Sequence, residues 1–391
     1  MNYKQDRNLQ EEVTESEAAQ NNITVNGPFQ PLFSVKVPDA VKNGEILQFN
    51  IKVFKPDTDE LICTVSRQYE DLEWLQHCLM TENNINGIIL PPLPAKPETD
   101  AKAAEKNTKK QLGSSTNVLM ADEFHVHCHS VEKYLVLVLE HEVLGKDKET
   151  LNNFLCQQEP PIRAKLKRGI MSRLSSAVEE ARKGQHRDID EYFHKQREWS
   201  TEYSKAAKEA SQNFNRMLIA QMRLAGCYGH FATTMSAMDV YRDATSVQIN
   251  MLLSKTAEGM EDSKRGMEVL CVNDEKTLAR LLDLYDRYMD SVKEMLFRRT
   301  SLLVTYEDAT KTLEKAKPAK KAAAEDAMTS SKKAYEECTA VAKKELKSFM
   351  QQRIISFEGG LSLFAESQIK TARDTYTLLV RTLKAVKEMD I

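Results

Sequence analysis

The chain has 391 residues, 41 % hydrophobic and 29 % charged, with a formal net charge of −3. That length suits about two or three domains, and the near-neutral charge excludes a bulk pull on nucleic acid or membrane, so any such pull must come from local patches. Seven cysteines are scattered without a CxxC pair, no apolar run nears the length of a membrane span, and no leader is evident, so a reduced cytosolic protein is expected, neither disulfide-stapled, spanning nor secreted.

Residues 1–30 are polar and rich in Glu, Gln and Asn, the composition of a disordered tail. Alternation follows: Phe33, Val35 and Val37, then Leu47, Phe49, Ile51 and Val53, then Leu61, Cys63 and Val65. A period of two predicts a three-stranded antiparallel sheet. Spacing turns helical over Tyr69–Met80, with Leu72, Leu75 and Leu79 on one face. Pro91, Pro92, Pro94 and Pro97 then force an extended loop. Its PxxP spacing would suit an SH3 ligand, but an intramolecular loop is the plainer reading. Lys102, Lys106, Lys109 and Lys110 recur at helical spacing, Gly113–Asn117 reads as a turn, Met120–Glu140 as a helix and Lys148–Leu155 as a short helix. Pro160-Pro161 closes this unit, assigned to residues 31–157.

Residues 162–182 read as an amphipathic helix. Ile162, Leu166, Ile170, Leu174 and Val178 recur every four residues, while Arg163, Lys165, Lys167, Arg168 and Arg173 occupy the other faces. Such a helix can bury its apolar face at a lipid interface while its cations meet anionic headgroups. The alternative is a linker helix docked on the preceding unit. Residues 186–391 follow with a single proline, Pro318, and apolar residues at alternating three- and four-residue steps, such as Leu282, Tyr285, Met289, Val292 and Met295. This predicts three long antiparallel helices at about 188–237, 245–316 and 321–389, the second irregular at Val272-Asn273-Asp274 and spanning roughly 100 Å. A stripe left uncovered would dimerise. Arg299 and Arg353 interrupt the stripes, either to discourage self-pairing or simply by snorkelling. Lys315, Lys317, Lys320 and Lys321 surround Pro318 and would form a basic tip, each lysine worth about 1 kcal/mol at an anionic surface; the alternative is a solvated turn. Gly359-Gly360 reads as a kink or a close-packing site.

The run Val65-Ser66-Arg67-Gln68-Tyr69-Glu70-Asp71-Leu72-Glu73-Trp74-Leu75 after three strands, then Ile89-Leu90-Pro91-Pro92-Leu93-Pro94-Ala95-Lys96-Pro97, resembles a PX domain. Followed by a long helical rod, it resembles a PX–BAR sorting nexin over nearly the whole chain. Arg67-Gln68 before an aromatic, Glu70, Asp71 and Trp74, with Phe297-Arg298-Arg299-Thr300 in the second rod helix, resemble the subgroup of sorting nexins five and six. The fold implied is an α+β PX domain, a three-stranded antiparallel sheet plus helices, followed by an all-α three-helix BAR-type antiparallel coiled-coil bundle. In members that bind phosphatidylinositol 3-phosphate, a basic residue precedes the aromatic; here it is Gln68, which offers no charge-assisted bond. A second phosphate-binding arginine is replaced in the region His127–His129. The resemblance therefore implies a disabled 3-phosphate pocket. Lys42, Lys96, Lys102 and Lys106 remain for a looser phosphoinositide site, against the alternative of a solvated lysine face. In the subgroup a helical hairpin and a neighbouring groove bind cargo tails as added β-structure. Phe124 matches the groove phenylalanine, with Val118, Met120 and Ala121 beside it. The hairpin here is shorter than the subgroup's, and a single aromatic on a helix is also an ordinary core residue.

No Walker loop, GxSxG, HExxH or GxGxxG after a strand is present, so neither catalysis nor a cofactor is expected. His125 and His129 lie four residues apart near Cys128, but no fourth ligand is visible, so no metal is expected either. The resemblance implies a peripheral protein of early endosome membranes and tubules. It would pair with a sorting nexin one- or two-type partner and bind anionic or phosphoinositide membranes, not nucleic acid. It would carry tails of transmembrane cargo, such as the cation-independent mannose-6-phosphate receptor, in retrograde or recycling transport. The rival reading is a helical structural scaffold with a folded head and no membrane activity.

Overall fold

The computed structural model describes residues 29–56, 58–112, 124–162, 186, 188–238 and 244–388. The head is built on three antiparallel strands, β1 (Ser34–Asn43), β2 (Ile46–Phe54) and β3 (Leu61–Gln68), in that spatial order. As the alternation requires, Val35, Val37, Leu47, Phe49, Ile51, Val53 and Val65 are buried on one face. The β1–β2 register shifts between Lys36 and Asp39, and there the Val37 amide donates instead to the Glu132 carboxylate at 2.7 Å, so the bulge leaves no buried donor unpaired.

Helix α1 (Tyr69–Glu82) starts directly after β3, with the Gln68 amide donating to Asp71 at 2.8 Å. Its apolar face, Leu72, Leu75 and Leu79, enters the sheet core with Val131, Leu135 and Val138 of α3 (Phe124–Glu140). Between them in the chain comes α2 (Ala101–Leu112). The proline loop runs back over α1, where Tyr69 Oη donates to the Pro94 carbonyl at 2.8 Å. Helix α4 (Lys148–Leu155), capped by Asp147, ends the head. Arg67 is fully buried and donates to the carbonyls of Phe154, Ser66 and Gln157. That residue is structural: it stitches β3 to the end of the head.

The rod contains α5 (Glu191–Ala237), α6 (Ala244–Asp274), a π-turn (Glu275–Ala279), α7 (Arg280–Glu314) and α8 (Lys321–Lys387). The irregularity expected at Val272–Asp274 thus falls one step later, as a wider helical turn. Of the Gly359-Gly360 pair, Gly360 is the close-packing position: a Cβ there would lie 2.5 Å from Leu281 Cδ2. The second core, with Phe193, Tyr285, Met289, Val292, Met295, Leu346 and Phe349, also takes in Ile89 from the head. Beyond it, Ile354, Leu361, Ile369, Tyr376, Leu379 and Leu383 of α8 are all exposed, as are Leu224 and Phe231 of α5. The expected uncovered stripe lies on this half of the rod.

Arg299 does not belong to that stripe. It is buried, donates to Asp188, to Thr339 Oγ1 at 3.1 Å and to Tyr335 Oη at 2.8 Å, and lies 3.5 Å from the Phe193 ring centroid. Partner selection by Arg299 is therefore set aside: all its groups are spent within one chain. Arg353 lies 5.0 Å and 4.6 Å from the ring centroids of Trp199 and Tyr203, a cation–π setting in which its stem is packed rather than snorkelling freely.

Candidate functional site

A pocket of about 450 Å³ opens where β2, the start of α1 and the proline loop meet, lined by Glu45, Ile46, Leu47, Gln68, Tyr69, Glu70, Lys96, Pro97 and Thr99. It gathers Gln68, Tyr69 and Lys96 of the 3-phosphate pocket that the sequence resemblance implied, whereas His127 and His129 do not line it. Among the described residues its single cationic lining residue, Lys96, is paired with Glu70 at 2.7 Å and lies 5.6 Å from the Tyr69 ring centroid. The hydrogen bond that Lys96 donates to Glu70 raises the Lys96 pKa, holding it cationic. Burial raises that of Tyr69, whose hydroxyl is already committed to Pro94. With Glu45 and Glu70 on the walls, the lining carries two carboxylates against one ammonium, a poor field for a phosphate monoester.

The other lysines do not join Lys96 there. Lys42 sits near the end of β1, its Nζ 5.9 Å from the Phe124 ring centroid. Lys102 and Lys106 are exposed on α2. The four lysines thus do not line one pocket.

Phe124 begins the described part of α3 and packs, half-buried, against the head core. Because α3 packs on β1, the ring lies beside the outermost strand of the sheet. Among the described residues, β1 pairs only with β2. An unpaired strand edge next to an apolar ring is what an extended peptide needs in order to add a strand. Val118, Met120 and Ala121, the neighbours expected for Phe124, lie outside the described residues.

Of the membrane-directed set, Ile162 is 94 % exposed; Arg163, Lys165, Leu166, Lys167, Arg168, Ile170, Arg173 and Leu174 lie outside the described residues. Lys315, Lys317, Lys320 and Lys321 are all exposed where α7 turns into α8, with Pro318 opening a short 3-10 turn. No described helix is long and apolar enough to cross a membrane.

His127 and His129 face Arg280 of the rod. Burial first, then that guanidinium, lowers the pKa of His127, and the same two causes act on His129, which keeps an exposed edge. A cation beside two imidazoles opposes metal binding, and no group of three metal-ligating side chains occurs among the described residues.

The sequence singled out Phe297-Arg298-Arg299-Thr300 as a subgroup feature and offered Arg299 only as a guard against self-pairing or a snorkelling cation. Arg298 Nη2 donates to the Ile88 carbonyl of the head at 2.6 Å, while Arg299 holds Asp188 at the root of α5. Adjacent residues thus anchor the head and the entry to the rod. Glu345 of α8 completes the junction, accepting from the Ile89 amide at 3.3 Å and meeting His141 Nε2 at 3.3 Å. None of these partners could be read from spacing, because they lie about 100 to 250 residues away.

Comparison with known proteins places these features in context. The PX domain family model matches residues 58–158, and the BAR domain model matches residues 177–387, more than half of the chain. Sorting nexin-6 of Mus musculus is 25 % identical over 391 residues, covering 95 % of this chain and 96 % of that protein. Sorting nexin-32 of Mus musculus is 25 % identical over 401 residues, covering 97 % and 98 %. Among solved structures, the cryo-EM structure of the SNX-BAR Mvp1 tetramer aligns with a TM-score of 0.53 at 13 % identity, covering 90 % of this chain and 99 % of that one.

Proposed function

From the premise that this chain belongs to the BAR-domain proteins, as a PX–BAR sorting nexin, we propose that it is a non-enzymatic endosomal adaptor. It captures extended, apolar cytosolic tails of transmembrane cargo on its head and holds curved anionic membrane with its rod. The observation that carries the cargo half is the edge of β1 beside Phe124, which no strand among the described residues pairs, on a head whose phosphate-type pocket has its described cation already paired. The exposed apolar stripe of α8 supports the rod half, since a patch of that kind on a long helix calls for a second rod. A sorting nexin one- or two-type chain is the partner proposed, early endosome tubules the place, and endosome-to-Golgi or recycling transport the route.

Calorimetry tests the cargo reading. An extended receptor-tail peptide, such as that of the cation-independent mannose-6-phosphate receptor, is expected to bind the full chain. Phe124→Asp is expected to abolish binding while the chain stays folded with only a small drop in melting temperature, since the ring is only half-buried. A folded wild-type chain that ignores such peptides would leave the head a spacer.

Membrane binding has its own test. The basic amphipathic run of residues 162–182 buries apolar area and places cations at headgroups. Leu166→Asp is expected to lower sedimentation with phosphatidylserine-containing vesicles at least tenfold while melting is unchanged. A scaffold without membrane activity would ignore the vesicles in both forms.

A further inference from the structure

Two cysteines far apart in the chain meet at the end of the head. Cys63 lies on β3, the strand of the sheet furthest from β1, and Cys156 directly follows α4, the last helix of the head. Cys63 shares the inward face of β3 with Val65 and Arg67, at the half-buried rim of that face. Its thiol donates to the Leu155 carbonyl at 3.3 Å, one residue short of Cys156. The Cys63 and Cys156 thiols are themselves in hydrogen-bonding contact. All seven cysteines are free, and among the described residues no other thiol meets a second one.

The surroundings suit thiol chemistry. Both residues are half-buried, so a small oxidant reaches them while the chain stays folded. The buried guanidinium of Arg67, held by the carbonyls of Phe154 and Gln157, lies within electrostatic reach of both sulfurs. A fixed cation of this kind favours a thiolate. Burial, and then the Cys63 thiol, push Cys156 up to about 11. At neutral pH Cys156 therefore keeps its proton, and Cys63 is the sulfur that reacts first. Arg67 and the Cys63 bond to Leu155 already hold the two segments together, so joining the sulfurs asks little of the backbone.

We propose that Cys63 and Cys156 form a redox modification site, a dithiol that hydrogen peroxide converts into a reversible disulfide stapling β3 to the exit of the head. The Cys63 sulfur attacks one peroxide oxygen, the O–O bond breaks, and the departing hydroxide takes the Cys63 proton as water, leaving a sulfenic acid. The Cys156 sulfur then attacks that sulfur. The S–S bond forms, the S–O bond breaks, and the hydroxyl leaves with the Cys156 proton as a second water. The two thiols give up two electrons and one peroxide accepts them. The new bond closes the chain from 63 to 156 into a loop. Intracellular disulfides are mostly transient and redox-sensing, and this one fits that class because its thiols rest reduced and in contact. The site stands independently of the cargo and membrane readings.

Hydrogen peroxide on the full chain, followed by peptide mapping without reduction, is expected to give one linked pair: the Cys63 and Cys156 peptides, joined with the loss of two hydrogens. Dithiothreitol should undo the link. Oxidation should raise the melting temperature by about 5 °C, since the bond constrains the unfolded head, and the rise should vanish in Cys63→Ser and in Cys156→Ser. In Cys156→Ser a dimedone adduct should collect at Cys63, whose sulfenic acid then has no resolving thiol. Linkage of other cysteines, or sulfinic acid at wild-type Cys63 with no link, would overturn the site. So would a Cys63–Cys156 link that leaves melting unchanged or lowers it, because a bond that strains the head is no native staple.

Discussion

Replacing Arg299 by methionine is expected to cost the rod about 3–5 kcal/mol, the penalty for leaving one member of a buried pair without its partner. The member left behind is Asp188, whose side chain is fully buried against the guanidinium. The loss is larger than for a surface ion pair, worth roughly 0–1 kcal/mol, because neither group reaches water to recover its solvation. It also exceeds the loss of one hydrogen bond: Thr339, Tyr335 and the Phe193 ring all converge on the same guanidinium. The double variant Arg299→Met with Asp188→Leu should recover much of that loss, since removing both charges removes the stranded one. Thermal unfolding of the four chains of this cycle measures the coupling. Equal melting of Arg299→Met and wild type would show that the buried pair contributes no stability.

The depth of this pair could not have been foreseen from periodicity. Arg299 falls on an apolar stripe, and a stripe position says that a residue faces a neighbour without saying which one. The neighbour is Asp188, just ahead of α5, more than a hundred residues earlier. By contrast, the sheet was legible because Leu47, Phe49, Ile51 and Val53 alternate without exception, and a strand with one buried face has little choice of register. The rod was legible for the same kind of reason, a sustained spacing near 3.5. The head pocket was half legible. Gln68, standing where the resemblance implies a basic residue, pointed to a missing cation, but the pairing of Lys96 with Glu70 depends on how the proline loop folds back over α1. Local pattern fixes which face is buried; it does not fix which distant charge meets which.

Gly87→Val is expected to release the head from the rod. Gly87 has φ +85°, a backbone conformation that costs a β-branched residue several kcal/mol less to leave than to keep. Space forbids the side chain as well: a Cβ would lie 2.6 Å from the Cys338 carbonyl oxygen and 2.9 Å from the Ala342 nitrogen. Both are backbone atoms of a packed helix and cannot rotate aside. The loop would have to lift, and with it would go the Arg298 bond to Ile88, the Glu345 bond to Ile89 and the insertion of Ile89 into the rod core. The head core, built from the sheet, α1, α3 and α4, shares no residue with that second core, so the head should remain folded. Calorimetric unfolding is expected to split into two transitions, and amides of residues 85–90 to lose their hydrogen-exchange protection. Peptide binding at Phe124 should persist, because that ring packs on the head's own core. A single transition at the wild-type temperature would mean that α8 yields at Cys338–Ala342, and that head and rod are held together chiefly elsewhere.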